Sequence, residues 1–132
     1  MRILFVEDNE INRRVVKEML RAGGIDDMAE AEDGFAGLRM IDDFDYDLVL
    51  MDLRMPGMDG ITAIRHIRAR DDSKAGVPVV VITADDGPTI DADCHAAGAD
   101  EVLRKPVSMG ALLETIGGLM ARRGGDSPAM RA

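Results

Sequence analysis

The stretch VLMDLRMPGMDG, residues 49–60, sets an acid, Asp52, directly behind an apolar run and follows it with a loop carrying Pro56, Gly57 and Gly60. A short apolar run without alternation is the pattern of a strand buried on both faces, as in a parallel sheet covered by helices on either side. ILFV at 3–6, DLVLM at 47–51 and VPVVVIT at 77–83 share it. Around them the period changes to that of a helix. Ile11, Val15 and Met19 with Val16 and Leu20 form one stripe, and Leu112, Ile116 and Leu119 with Leu113 and Met120 form another. Each stripe predicts a helix with one face to bury.

Weaker signals fill the remaining places: a strand near Met28 to Ala31, a helix from about Asp33 to Phe44, a helix from about Gly60 to Arg70 and a strand near Glu101 to Leu103. The segment DDGPTIDADCHAAG, from residue 85, has weak helix propensity and few apolar anchors beyond Ile90 and Cys94. Strands and helices thus alternate through five units. The expected class is α/β, a doubly wound parallel sheet with helices on both faces, whose site lies in the crevice beyond the carboxyl ends of the strands.

The chain's 132 residues, nearly half of them apolar, suit one domain with a real core and leave no room for a second catalytic one. Residues 1–122 are expected to form that domain, and the Gly-rich, aperiodic tail 123–132 to be disordered. The single Cys94 forms no internal disulfide, no leader-like segment opens the chain, and no apolar run nears the roughly 20 residues of a membrane span. A cytoplasmic protein is expected. With a formal charge of -9 the chain has no electrostatic grip on nucleic acid or anionic lipid, so protein partners are expected, with no nucleic acid and no membrane.

At the carboxyl ends of the predicted strands stand Glu7 and Asp8, Asp52, Thr83 and Lys105. Singly, each has an ordinary explanation: Asp8 or Asn9 could cap the first helix, Thr83 could form a turn and Lys105 could be solvated. Jointly, three carboxylates repel and raise one another's pKa unless a cation neutralises them. An all-oxygen set suits Mg2+ better than zinc, for which there is no Cys or His cluster; His66 and His95 fall on helical segments and read as surface residues. In such a site Asp52 can act as a nucleophile toward phosphorus, with Lys105 and the Thr83 hydroxyl holding phosphoryl oxygens. Pro56 and Gly57 read as a turn, and Asp59 as the cap of the next helix.

The set FVEDN, VLMDLRMPGMDG, VITA and RKP, in this order and spacing, resembles the receiver domains of two-component response regulators, in the stand-alone, chemotaxis-regulator-like form. The resemblance implies the flavodoxin-like receiver fold, five strands in the order 2-1-3-4-5 with five helices, and a cis peptide between Lys105 and Pro106. It also implies that Asp52 accepts the phosphoryl group, that Thr83 is the switch hydroxyl and that Lys105 binds phosphate. Mg2+ would be held by Asp8, Asp52 and the backbone carbonyl of Arg54, with Glu7 acting through water.

By the same resemblance the chain would catalyse its own phosphorylation from a phosphodonor and its own dephosphorylation. Phosphorylation would alter the surface after the fourth strand and that of the fourth helix, fifth strand and fifth helix. The implied partners are a histidine kinase or histidine phosphotransfer protein and a downstream target protein. A phosphorelay shuttle or sink, and a receiver excised from a hybrid kinase, are the alternatives. The family commonly has an aromatic three residues before the lysine, where this chain has Val102, so the usual paired threonine and aromatic movement is not expected.

Two other classes share parts of the pattern. Phosphatases with an aspartyl nucleophile usually carry a second Asp two residues on, where Arg54 stands; an FMN carrier wants a Ser/Thr/Gly phosphate loop and aromatic walls, where EDNEIN stands and aromatics are scarce. Arg54 and Asp85, two residues after Asp52 and Thr83 respectively, are expected to pair across the mouth of the site.

Overall fold

The structure, a computed structural model, describes residues 1–125. In chain order it comprises β1 (Ile3–Val6), α1 (Glu10–Ala22), β2 (Met28–Ala31), α2 (Gly34–Asp43), β3 (Leu48–Met51), α3 (Gly60–Arg68), a 3-10 turn (Ser73–Gly76), β4 (Val79–Thr83), α4 (Ile90–Ala97), β5 (Glu101–Arg104) and α5 (Met109–Gly125). The strands form one parallel sheet in the order β2-β1-β3-β4-β5. β1, β3 and β4 are central and wholly buried, which is why their sequences show no alternation.

Alternate residues of those strands feed two cores. Leu4, Val6, Val49 and Met51 meet Ile41 of α2, Ile64 and Ile67 of α3 and Cys94 of α4 on one face. Ile3, Phe5, Leu48 and Leu50 meet Val16 and Leu20 of α1 and Leu112, Ile116 and Leu119 of α5 on the other. α5 runs past the expected boundary at 122 to Gly125, and the remainder of the expected tail lies outside the described residues. His66 and His95 are exposed, as expected.

The α1 stripe is only partly buried. Val16 and Leu20 are inside, Met19 is half-buried, but Ile11 and Val15 are 69% and 47% exposed. The cause is length: 13 helical residues span about 20 Å, whereas the four of β1 span about 13 Å. The first turn of α1, with Ile11, therefore overhangs the carboxyl edge of the sheet, while Val15 lines a groove open to solvent with Ala84, Pro106 and Val107.

Helix starts follow their local chemistry. Asn9 caps α1, Asp33 caps α2 and Asp59 caps α3, each accepting from the backbone N–H three residues on. In the MPGMDG loop Gly57 takes a φ of 84°, and a Cβ on Gly60 would lie 2.2 Å from the Asp52 carbonyl oxygen. The second glycine thus lets α3 begin hard against the backbone of Asp52.

Candidate functional site

All the residues singled out at the strand ends lie at one edge of the sheet. Asp52, the residue after β3, is 4% exposed, and Glu7, the residue after β1, is fully buried. Their register follows from the pairing of Val6 with Met51, which brings the two following acids side by side. Asp8, on the solvent side, is exposed and completes the group: carboxylate oxygens of Glu7, Asp8 and Asp52 all lie within 4.8 Å of one another. It is Asn9 that caps α1, which leaves the Asp8 carboxylate for this cluster.

Lys105 follows β5 and reaches across the sheet edge, donating from Nζ to Glu7 Oε1 at 2.8 Å and standing 3.6 Å from Asp52 Oδ1. The Lys105–Pro106 peptide is cis, as the resemblance implies. The Thr83 side chain is buried at the end of β4, where its Oγ1 accepts the Asp85 N–H at 3.0 Å. The Arg54 N–H lies 3.5 Å from Asp52 Oδ1, at the start of the loop that leads to α3.

The electrostatics of the two buried acids diverge. Burial, reinforced by the adjacent Glu7 carboxylate and its charge, pushes Asp52 up to about 7, although Lys105 and the Arg54 N–H pull the other way. For Glu7, burial alone would raise the pKa, but its contact with the Asp52 carboxyl and the hydrogen bonds from Lys105 and Asn12 outweigh it and hold the carboxyl below its usual value. Lys105 is held above its usual value: burial acts against that, but its bond to Glu7 and the charge of Asp52 prevail. The site therefore carries an excess of negative charge in a confined volume, which a cation relieves.

The fit of a hard divalent ion rests on a single orphaned atom. Glu7 Oε2 is buried and has no hydrogen-bond partner among the described residues. The carboxylates of Glu7, Asp8 and Asp52 together present oxygen ligands only, the donor set of Mg2+.

Arg54 and Asp85 form the ion pair expected across the mouth of the site, between the loops after β3 and β4. Val102 is half-buried against the core on the α2–α3–α4 face. Two contributors were not identified from sequence. Asn12 donates from its side-chain amide to Glu7 Oε1 at 2.7 Å, and Arg13 donates to the Glu7 backbone carbonyl at 2.6 Å. The available signal was their position one turn into a helix that begins at the site.

A doubly wound sheet with an acid cluster, a lysine and a hydroxyl at its carboxyl edge defines a phospho-accepting α/β signalling domain. The response regulator receiver domain family matches residues 3–117, and the chain belongs to that family. It is 36% identical over 122 residues to chemotaxis protein CheY-3 of Vibrio cholerae, covering 92% of this chain and 93% of that protein. It is 41% identical over 126 residues to two-component response regulator ORR41 of Oryza sativa subsp. japonica, again covering 92% and 93%.

Among solved structures, the receiver domain of sensor histidine kinase PA1611 from Pseudomonas aeruginosa superposes with a TM-score of 0.78 at 35% identity, covering 86% of this chain and 92% of that one. That structure has a magnesium ion coordinated in its active site cleft. The chain is thus a phospho-accepting receiver of a two-component or phosphorelay system. Among the described residues no helix is long and apolar enough to cross a membrane.

Proposed function

We propose that Asp52 is the phospho-accepting residue, that Glu7, Asp8, Asp52 and the backbone carbonyl of Arg54 hold Mg2+, and that Thr83 and Lys105 hold the phosphoryl group. The observation that carries this reading is the placement of Asp52, a 4% exposed carboxylate 3.6 Å from a lysine ammonium and inside a cluster of acids. Bound Mg2+ would supply the positive charge that lets phosphoryl oxygens approach three carboxylates.

An Asp52 carboxylate oxygen attacks the phosphorus of a phosphohistidine or a small acyl or amido phosphate. A P–O bond to Asp52 forms as the donor's P–N or P–O bond breaks, and the leaving group takes its electron pair. Lys105 Nζ, already between Glu7 and Asp52, shifts a hydrogen bond to a phosphoryl oxygen. The Thr83 hydroxyl, whose oxygen accepts from the Asp85 N–H, has its own proton free to donate to another. In hydrolysis water attacks the phosphorus, and the P–O bond to Asp52 breaks with its electron pair returning to the carboxylate. Inorganic phosphate leaves as the water gives up a proton to solvent, so the chain catalyses both the gain and the loss of its phosphoryl group.

The partners are a histidine kinase or histidine phosphotransfer protein as donor, in the cytoplasm, and a target protein that reads the surface of the β4–α4 loop, α4, β5 and α5. Incubation with Mg2+ and a small-molecule phosphodonor should add one phosphoryl group to the intact mass. Chelation of Mg2+ should prevent the addition, and an addition that persists in Asp52→Asn would overturn the assignment.

A further inference from the structure

The Glu7 carboxylate is gripped by one oxygen only. Oε1 accepts from Lys105 Nζ at 2.8 Å and from Asn12 Nδ2 at 2.7 Å, while the buried Oε2 has no partner among the described residues. The two donors differ in kind. Lys105 is a charged, flexible side chain that also stands 3.6 Å from Asp52, so its bond to Glu7 is shared with whatever occupies the site. Asn12 is a neutral amide on the first turn of α1, where its own N–H is fixed to the Asn9 cap at 2.9 Å.

We propose that Asn12 is a positioning residue of the acidic site. Its amide pins Glu7 Oε1 and so fixes the orientation of the carboxylate beside Asp8 and Asp52, and it keeps that orientation when Lys105 turns to a phosphoryl oxygen. The inference rests on the reading of the cluster as a Mg2+ site and adds to it the group that orients one of the acids.

The chemistry of an amide suits this task. A second lysine would orient Glu7 equally well but would cancel part of the negative charge that draws the cation. An amide donates without adding charge, and it does not titrate. Its neighbour Arg13, 13% exposed, fixes the main chain of Glu7 from the same turn through the 2.6 Å bond to the carbonyl oxygen. Of the two, only Asn12 acts on the carboxylate. Groups that hold a metal-binding side chain in place in this way typically change metal affinity by about 10- to 100-fold when removed.

The test is Mg2+ titration by calorimetry of the full chain as wild type, Asn12→Ala and Asn12→Gln, with thermal unfolding of each in chelator alongside. Asn12→Ala should bind Mg2+ about tenfold more weakly while remaining fully folded in chelator at the temperature of the titration. Asn12→Gln, which keeps the amide on a longer arm, should recover part of the affinity. Unchanged affinity in Asn12→Ala would overturn the proposal, as would a loss of affinity matched by unfolding in chelator at that temperature that Asn12→Gln fails to reverse. Failure of the wild type itself to bind Mg2+ would instead overturn the metal reading on which it rests.

Discussion

At the scale of the residue, Asp52 is held in a state that favours protonation. Its pKa of about 7 in the fold lies above its ordinary 3.8, so the folded chain binds a proton more tightly than the unfolded one. Stability is therefore lost as pH rises from about 4, and the full penalty of the buried charge is present above about 7. With Mg2+ chelated, Asp52→Asn should be more stable than wild type, and the gap should widen by on the order of 2 kcal/mol between pH 5 and pH 8. Urea unfolding at the two pH values measures this, and a pH-independent gap would contradict it.

The Arg54–Asp85 pair, also at this scale, is expected to act on the lifetime of the phosphoryl group and not on stability. Asp85 is held by three contacts: the Arg54 pair, the Gly87 N–H on Oδ1 at 3.1 Å, and its own N–H on Thr83 Oγ1. The bond from Arg54 holds its carboxyl below the usual range. A guanidinium held in this way at the mouth of the site would obstruct the approach of hydrolytic water to a phosphoryl group on Asp52. Arg54→Ala and Asp85→Asn should each dephosphorylate several-fold faster than wild type, and the double variant should fall short of the product of the two. Equal rates in all four proteins would eliminate the gate. The pair itself was legible in the sequence, because the offsets from Asp52 and Thr83 put both residues on facing loops. Asn12 was not, because nothing in an amide beside an apolar stripe shows which carboxylate it meets.

At the scale of the element, the helices are unequally secured. α1, α2 and α3 each begin on a side-chain cap, whereas α4 begins at Thr89 without a side-chain cap bond among the described residues and has only eight residues. Its buried anchors are Cys94 and Ala97, and Arg104 of β5 holds it from outside through Asp91. The weak propensity of the segment was readable in its composition, but the ion pair to β5 depends on the fold. Because the loop before α4 begins at Thr83, a movement of that hydroxyl reaches the least secured helix first. Val102, without a ring, offers no second route through an aromatic side chain. Amides of 85–97 should exchange hydrogen earlier than those of α1 and α3, and their rates should change when Asp52 is phosphorylated. Protection equal to that of α3, unaltered by phosphorylation, would refute this path.

At the scale of the whole molecule, the alternation of apolar runs and helical stripes was sufficient to read the doubly wound sheet and the edge that carries the site. It did not reveal how the opposite edge is held together. Nothing in the sequence marks out Arg68, which ends α3. In the structure its half-buried guanidinium donates to the carbonyls of Gly98 at 2.9 Å and of Ala75 and Val77 at 2.7 Å each, and to Asp100 at 3.2 Å. Asp100 in turn accepts the N–H of Val79 at 2.8 Å. One side chain thus joins the end of α3, the 3-10 turn, the start of β4 and the turn after α4, all partners that sequence separation hides. Burial lowers the Arg68 pKa, partly offset by the Asp100 charge, yet the group stays a cation and its bonds to carbonyls are charge-assisted. Removing it leaves several partly buried carbonyls without a donor, so Arg68→Ala should cost about 2–4 kcal/mol. Arg68→Lys, with a single ammonium in place of the planar fork, should cost about half as much. Because the clamp lies at the end of the sheet remote from Asp52, Mg2+ affinity of the folded Arg68→Lys protein should match wild type. Urea unfolding with Mg2+ titration separates the two effects, and a variant as stable as wild type would show that the clamp is dispensable.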